Sequence, residues 1–190
     1  MSHSETDRCR EAERFRKIDA AFRQGDLEAL REAVEDPDAI PNGPMPLTIG
    51  TCLEYAIYHS PLAFIRTLLE LGADPNEEDA AGFPPLIAAL SCNQAAPGAT
   101  VRTEVAEIVA LLLSYGADPD QRGINDYTAL HMAAAVNHPE AVRLLLDAGA
   151  DPNLRTRIDD YETPRELAEN AQHNDIAAML AAAEARKSQT

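Results

Sequence analysis

One phrase recurs three times along the chain and constrains its fold more than any other feature. It is written LLELGADPN at residues 68–76, LLLSYGADPD at 111–120 and LLLDAGADPN at 144–153. A phrase that returns at intervals of tens of residues is the sequence sign of a repeat architecture, in which each copy is one structural unit. The chain is therefore predicted to consist of stacked copies of a single unit.

Each copy of the phrase predicts a helix that ends in a sharp turn. In residues 139–149 the apolar side chains give a helix with a broad buried face. Pro139 suits the first turn of that helix, where a backbone N–H is not needed. Gly149 accepts the left-handed conformation just past a helix end, and the following Asp151-Pro152 pair cannot continue the helix.

Short alanine-rich segments form a second kind of predicted helix. Thr51 with Glu54, like Thr163 with Glu166, has the T-x-x-E spacing of a capping box, which marks a helix start. Small side chains along these segments allow the helices to stack closely. The four segments are residues 51–57, 84–90, 128–135 and 163–169.

The best copy of the complete unit is TALHMAAAVNHPEAVRLLLDAGADPN at residues 128–153. It resembles the ankyrin-repeat family, whose T-P-L-H-x-A and G-A-D-x-N signatures it matches almost throughout, and residues 51–76 and 84–120 match more loosely. The resemblance implies an all-α ankyrin-repeat solenoid of about five helix-turn-helix units with finger loops, closed by degenerate capping repeats at both ends.

Spacing between the repeated features divides the chain into one predicted ankyrin-repeat domain at residues 11–187, after a flexible N-terminus at 1–10. The segment 11–42 carries two helical stretches around Gly25 and is predicted to be the N-terminal cap. The other predicted parts are repeats at 43–75, at 76–119 with an insertion at 91–104, and at 120–152, and a C-terminal cap at 153–187.

Composition excludes several classes of protein. The 16 basic and 32 acidic side chains give a net charge of -16, which repels nucleic acid and anionic membrane surfaces. Cys9, Cys52 and Cys92 are widely spaced and form no CxxC pair, so neither a disulfide framework nor a zinc site is indicated. No apolar run reaches the length of about 18 residues that a transmembrane helix needs. We expect a soluble, cytoplasmic protein, and the capped ends favour a monomer.

The inventory of catalytic and metal-binding motifs is thin. The chain has no G-x-S-x-G elbow, no phosphate-binding glycine loop and no H-E-x-x-H pair, so no enzyme, cofactor or metal is expected. His131 and His138, with Cys92, are a conceivable metal set, but the resemblance places both histidines at positions that hydrogen-bond neighbouring turns. Asp118 and Asp120 with Gly123 faintly resemble a calcium loop, and turn capping explains them more simply.

The expected function is therefore binding of another protein, as an adaptor or as a regulator or inhibitor, on the concave surface of fingers and first helices. Aromatic side chains there are the best candidates for contact because they bury a large area at small entropy loss. Phe83 and Tyr127 fit either contact with a partner or the core. The candidates are Tyr58, His59, Phe83, Ser91, Asn125, Tyr127, Tyr161 and Glu162.

Two alternatives stay open at this point. One is an enzyme or small-molecule binder that uses the insertion at 91–104 as a lid. The other is an acidic mimic of nucleic acid, which blocks the basic groove of its partner through the net charge of -16.

Overall fold

The computed structural model describes residues 3–42, 50–77, 83–92, 102–157 and 161–188, and every regular element within these ranges is helical. This confirms the predicted all-α class. The helices are α1 His3–Gln24, α2 Leu27–Ala33, α3 Cys52–His59, α4 Leu62–Glu70, α5 Pro85–Ser91, α6 Val105–Ser114, α7 Ala129–Ala135, α8 Pro139–Asp147, α9 Pro164–Asn170 and α10 Asn174–Lys187. Short 3-10 turns occupy Pro37–Ala39 and Ile124–Asp126.

The chain divides into two compact units, Met1–Asp74 and Pro75–Thr190. In the first unit α1 packs against α2 and α3, and α3 packs against α4. An aromatic cluster forms its core, in which the ring of Phe22 lies edge-on to Tyr55 at 4.8 Å and to Phe64 at 5.7 Å. The buried Tyr55 hydroxyl donates to Asp19 Oδ1 at 2.7 Å. Burial and this hydrogen bond raise the pKa of Tyr55 to about 12.

The first helix begins earlier than the sequence predicted. Residues 3–10 were expected to belong to a flexible terminus, but they are the first turns of α1, which runs to Gln24. The physical reason is that residues 3–10 contain no Gly or Pro to break a helix, and Glu5, Arg8 and Arg10 are good helix formers. Gly25, with φ of 68°, ends α1, and Asp26 then caps α2 by accepting from Ala29 N at 3.0 Å.

The second unit contains three helix pairs, α5 with α6, α7 with α8, and α9 with α10. The first helices of the pairs form one layer, in which α7 packs against both α5 and α9. The second helices form the other layer, in which α8 packs against α6 and α10. Leucine, isoleucine and alanine fill the core between the layers. Fully buried members are Ile87, Leu90, Ile108, Leu112, Leu130, Ala133, Leu145 and Leu180.

Glycine turns end the second helices as predicted. Gly116 and Gly149 have φ of 90° and 97°, and no atom lies within 4 Å of a Cβ placed on either residue. Glycine is therefore favoured at these positions because of the positive φ, and not because a side chain would clash with a neighbour. Gly72 in the first unit has φ of 94° and the same open surroundings.

Asparagine and aspartate side chains tie successive turns together. Asn76 donates to the Gly116 carbonyl at 3.1 Å and accepts from Asp118 N at 2.7 Å. Asp120, one repeat later, accepts from Asp151 N at 2.8 Å. Asp118 itself accepts from Asp120 N at 2.9 Å. These aspartates cap turns, which agrees with the simpler of the two interpretations of the sequence.

Several predictions concern residues outside the described ranges. Residues 93–101 contain most of the predicted insertion at 91–104, and residues 43–49, 78–82 and 158–160 belong to other predicted repeats. The division into repeats between 11 and 187 and the single-domain arrangement stay predictions. Along the described parts of the chain, no helix is both long and apolar enough to cross a membrane.

Candidate protein-binding surface

His131 joins α7 to the loop before α9. Its Nδ1 lies 3.2 Å from Thr128 N, which only donates, so Nδ1 accepts and the proton is on Nε2. Nε2 then donates to the carbonyl oxygen of Glu162 at 3.1 Å. Burial lowers the pKa of His131 to about 4, so the ring is neutral at physiological pH.

The alternative in which these histidines bind a metal gains no support. Both ring nitrogens of His131 are engaged, and His138 Nδ1 accepts from Ala141 N at 3.2 Å, where it caps α8. In the described ranges no three His, Cys, Asp or Glu side chains come together as a metal site.

Two finger loops of the second unit lie before α7 and α9. We call residues 117–128 finger A and residues 150–163 finger B, the latter described except at 158–160. Finger A closes with Gly123 N donating to the Tyr127 carbonyl at 2.9 Å. Finger B closes in the same way, with Thr156 N donating to the Glu162 carbonyl at 3.0 Å.

An arginine holds the tip of each finger. Arg122 Nη1 donates to the carbonyl of Asp126 at 3.2 Å, and Arg155 Nη1 donates to the carbonyl of Tyr161 at 2.7 Å. Asp126 and Tyr161 stand two residues before the helix-capping threonines of α7 and α9 and are both left-handed, with φ of 62° and 54°. The two fingers therefore repeat one hydrogen-bonding pattern.

Asp126 links the two fingers. Its buried carboxylate accepts from Arg122 Nη1 at 2.5 Å, and it receives Arg157 Nη2 at 2.6 Å and Arg157 N at 2.5 Å. The hydrogen bond from the Arg157 side chain is the main cause that holds the pKa of Asp126 below its ordinary value. Arg122 also donates to the Arg155 carbonyl at 3.0 Å. Finger A and finger B thus form one connected surface.

The base of finger B is fixed to α9. Arg155 makes a two-pronged ion pair with Glu166, at 2.7 and 2.8 Å. Glu166 also accepts from Thr163 N at 2.9 Å, which completes the predicted capping box of α9. Arg155 is the main cause of the lowered pKa of Glu166. The predicted box at Thr51 has its Glu54 N to Thr51 Oγ1 bond, at 3.1 Å.

Four predicted site residues come together on the fingers. Tyr161 is 60% exposed and Asn125 is exposed at the tip of finger A. Tyr127 is half-buried, with its ring edge-on to His131 at 5.6 Å, so it packs against the fold as well as facing outward. Glu162 is half-buried, and its carboxylate accepts from Asn170.

The other predicted site residues lie elsewhere. Phe83 precedes α5 and Ser91 is its last residue, and both are half-buried. Ser91 Oγ donates to the Ile87 carbonyl at 2.8 Å. Tyr58 and His59 belong to the first unit, in the last turn of α3. His59 is exposed, with its ring 4.4 Å from that of Tyr55.

The arginines that hold the fingers were not among the predicted site residues. Arg122 and Arg155 each stand six residues after the glycine of the repeated phrase, at Gly116 and Gly149. That shared position is a signal in the sequence. Asp126 carried no such signal, because its partner Arg157 lies 31 residues away.

An open groove of about 490 Å³ lies on the opposite layer of the second unit, between α8 and α10. Leu146, Met179 and Ala182 line it, with Arg143, Asp147 and Arg186 beside them. None of these residues belongs to the fingers or to the predicted insertion at 91–104.

A family model of ankyrin repeats, in three copies, matches residues 53–156 and 99–190. The chain belongs to the ankyrin-repeat family. Ankyrin repeats are protein–protein interaction modules, so the general class of function predicted from the sequence is supported.

Similarity to individual ankyrin-repeat proteins covers part of each chain. Protein phosphatase 1 regulatory subunit 27 of Mus musculus is 39% identical over 61 residues, 32% of this chain and 38% of that protein. Protein fem-1 homolog C of Danio rerio is 34% identical over 70 residues, 36% of this chain and 11% of the relative. E3 ubiquitin-protein ligase KEG of Arabidopsis thaliana is 35% identical over 95 residues, 50% of this chain and 6% of the relative. This ankyrin-repeat chain thus spans less than two fifths of the length of these relatives.

Proposed function

We propose that this ankyrin-repeat chain is a non-catalytic adaptor or regulatory subunit that binds a partner protein through its fingers and first helices. The observation that supports the proposal is the hydrogen-bonded connection of fingers A and B, the loops to which the candidates Asn125, Tyr127, Tyr161 and Glu162 belong. An aromatic-rich surface held by internal hydrogen bonds needs little ordering when a partner binds. One similar protein is by name a regulatory subunit of a phosphatase.

Affinity capture tests the proposal. The full chain is used as bait in a lysate of the cell that produces it, and captured proteins are identified by mass spectrometry. Tyr127→Ala and Phe83→Ser are expected to weaken capture by about tenfold or more, as truncation of interface aromatics does. Arg143→Ala, on the exposed face of α8, is the matched control and should leave capture unchanged.

Stability of each variant is measured alongside capture. Because Tyr127 packs against His131, a lower melting temperature is expected for Tyr127→Ala, and capture is therefore compared at a temperature where both proteins are folded. Normal capture by both aromatic variants would contradict the proposed surface. Turnover of a substrate that a single polar substitution abolishes would contradict the non-catalytic role.

We also propose that the protein acts in the cytoplasm as a monomer. Light scattering coupled to gel filtration tests the monomer, with a dimer as the contradicting result. Tyr58 and His59, on the first helix α3, are proposed to contact the partner as well, and the same capture experiment with His59→Ala tests this.

A further inference from the structure

Tyr161 combines an exposed ring with an unfavourable backbone conformation. Its φ of 54° is left-handed, and the other non-glycine residues with positive φ in the described ranges are Asn125, Asp126, Asn137 and Gln172. A bulky aromatic residue in this region is a genuine outlier, whereas Asn and Asp adopt it readily. Tyrosine at this position therefore lowers the free energy of unfolding relative to asparagine or glycine.

The surrounding structure holds the Tyr161 backbone without help from the ring. Arg155 Nη1 donates to its carbonyl at 2.7 Å. The next residue, Glu162, donates from N to Thr156 Oγ1 at 3.1 Å and accepts from His131 and from Thr156 N. The ring is 60% exposed. The fold thus dictates the backbone at Tyr161, and the side chain is free for another role.

At the equivalent position of finger A, the side chain stabilises the fold. Asp126 has the same left-handed conformation, but its side chain is buried and binds Arg122 and Arg157. Tyr161 instead presents its side chain to solvent. Strained residues that the structure over-determines in this way cluster at binding sites.

The charges on the fingers and on the whole chain indicate which partner fits Tyr161. The arginine charges beside it are balanced within the fingers and α9. Arg122 and Arg157 share Asp126, and Arg155 pairs with Glu166. Glu162, the residue after Tyr161, adds the third carboxylate. The chain as a whole has a net charge of -16, which attracts basic proteins. A guanidinium group is weakly hydrated and stacks on aromatic faces, so arginine is the basic side chain best suited to an exposed ring.

We propose that Tyr161 anchors a basic segment of the partner protein, with an arginine side chain stacked on its ring. This inference rests on the proposed function and adds the chemistry of the partner. The hydrogen bonds from Arg155 and Thr156 fix the backbone beside the ring, and the net negative charge of the chain attracts the basic segment.

A peptide titration tests the proposal on the full chain. The probe is a blocked peptide of alternating glycine and arginine, and its counterpart carries glutamate in place of arginine. Binding is followed through the ring proton resonances of Tyr161 and by calorimetry. The arginine peptide should shift these resonances and bind, and the glutamate peptide should do neither.

Substitutions separate the ring from the backbone. Asparagine tolerates the left-handed conformation, and Tyr161→Asn removes the ring. The variant should therefore bind the arginine peptide about tenfold more weakly, while its melting temperature stays equal to that of wild type or rises. Tyr161→Phe keeps the ring and should bind within about twofold of wild type. Tyr115→Ser removes another exposed tyrosine of the same unit, at the end of α6, and should bind as wild type does.

Three results would overturn the inference. The first is equal affinity of wild type and Tyr161→Asn for the arginine peptide, which would indicate attraction by net charge alone. The second is tighter binding of the glutamate peptide than of the arginine peptide. The third is that wild type does not bind the arginine peptide. If Tyr161→Asn captures a cellular partner as strongly as wild type does, the inference fails while the proposed function stands. If wild type captures no partner, the proposed function fails.

Discussion

The Nε2 atom of His131 lies 3.1 Å from the carbonyl oxygen of Glu162, which places a neutral imidazole between α7 and finger B. Its other nitrogen accepts from the backbone of Thr128. A proton on Nδ1 would remove that acceptor and put an unbalanced charge in the core. The stability of the second unit is therefore coupled to pH through this one ring.

Acid is expected to destabilise the protein through His131. The folded pKa is about 4 and the ordinary value is 6.5, so between these values the unfolded chain binds a proton that the folded chain does not. The contribution is complete above pH 6.5 and falls by up to about 3 kcal/mol as the pH is lowered to 4. Urea unfolding at several pH values measures it. His131→Gln should be less stable and should show a flatter slope in this window, and an unchanged wild-type stability from pH 7 to 5 would refute the coupling.

Removing the charge of Asp126 is expected to destabilise the fingers. Asp126→Asn keeps the size of the side chain but leaves Arg122 and Arg157 without their shared carboxylate, at an expected cost of about 2–3 kcal/mol in the free energy of unfolding. Asp147→Asn, on an exposed position of α8, is the matched control and should change it by less than about 0.5 kcal/mol. Equal effects of the two substitutions would show that the buried carboxylate does not link the fingers energetically.

Asparagine at position 120 is expected to stabilise the protein. Asn76 both donates to the Gly116 carbonyl and accepts from Asp118 N, whereas Asp120 can only accept, from Asp151 N. Asp120→Asn adds a donor for the next turn and should raise the free energy of unfolding by about 0.5–1 kcal/mol. The reverse change, Asn76→Asp, should lower it by a similar amount. Thermal melts of both variants test the pair, and changes of the same sign would contradict the explanation.

The turn glycines are expected to differ in their tolerance of a methyl group. Gly149→Ala meets no atom within 4 Å and should cost only the backbone penalty for φ of 97°, about 1 kcal/mol. Gly25→Ala carries a similar penalty and also brings its Cβ to 3.3 Å from Phe64 Cβ, so it should cost more. Urea unfolding compares the two variants. A larger loss for Gly149→Ala would mean that the surroundings of that turn differ from those in the structure.

The sequence by itself determined the helices and the turns between them. Pro139 and Gly149 bracket α8 as predicted, and Thr163 with Glu166 begins α9 through the predicted capping box. These features are readable because they depend on residues within a few positions of each other, and the repeated phrase supplied three copies of the evidence. The start of α1 was missed although Ser2 and Glu5 have the S-x-x-E spacing of a capping box, because the hydrophilic stretch after them shows no apolar periodicity that would predict a helix.

Only the tertiary structure decided which side chains are available on the surface. Tyr127 and Tyr161 were both candidates for contact, yet the first packs on His131 and the second is 60% exposed. The bond between Asp126 and Arg157 joins residues 31 positions apart, in two different fingers. Burial and pairing of this kind depend on which elements, distant in the sequence, come together in space. Local sequence patterns do not encode those long-range contacts.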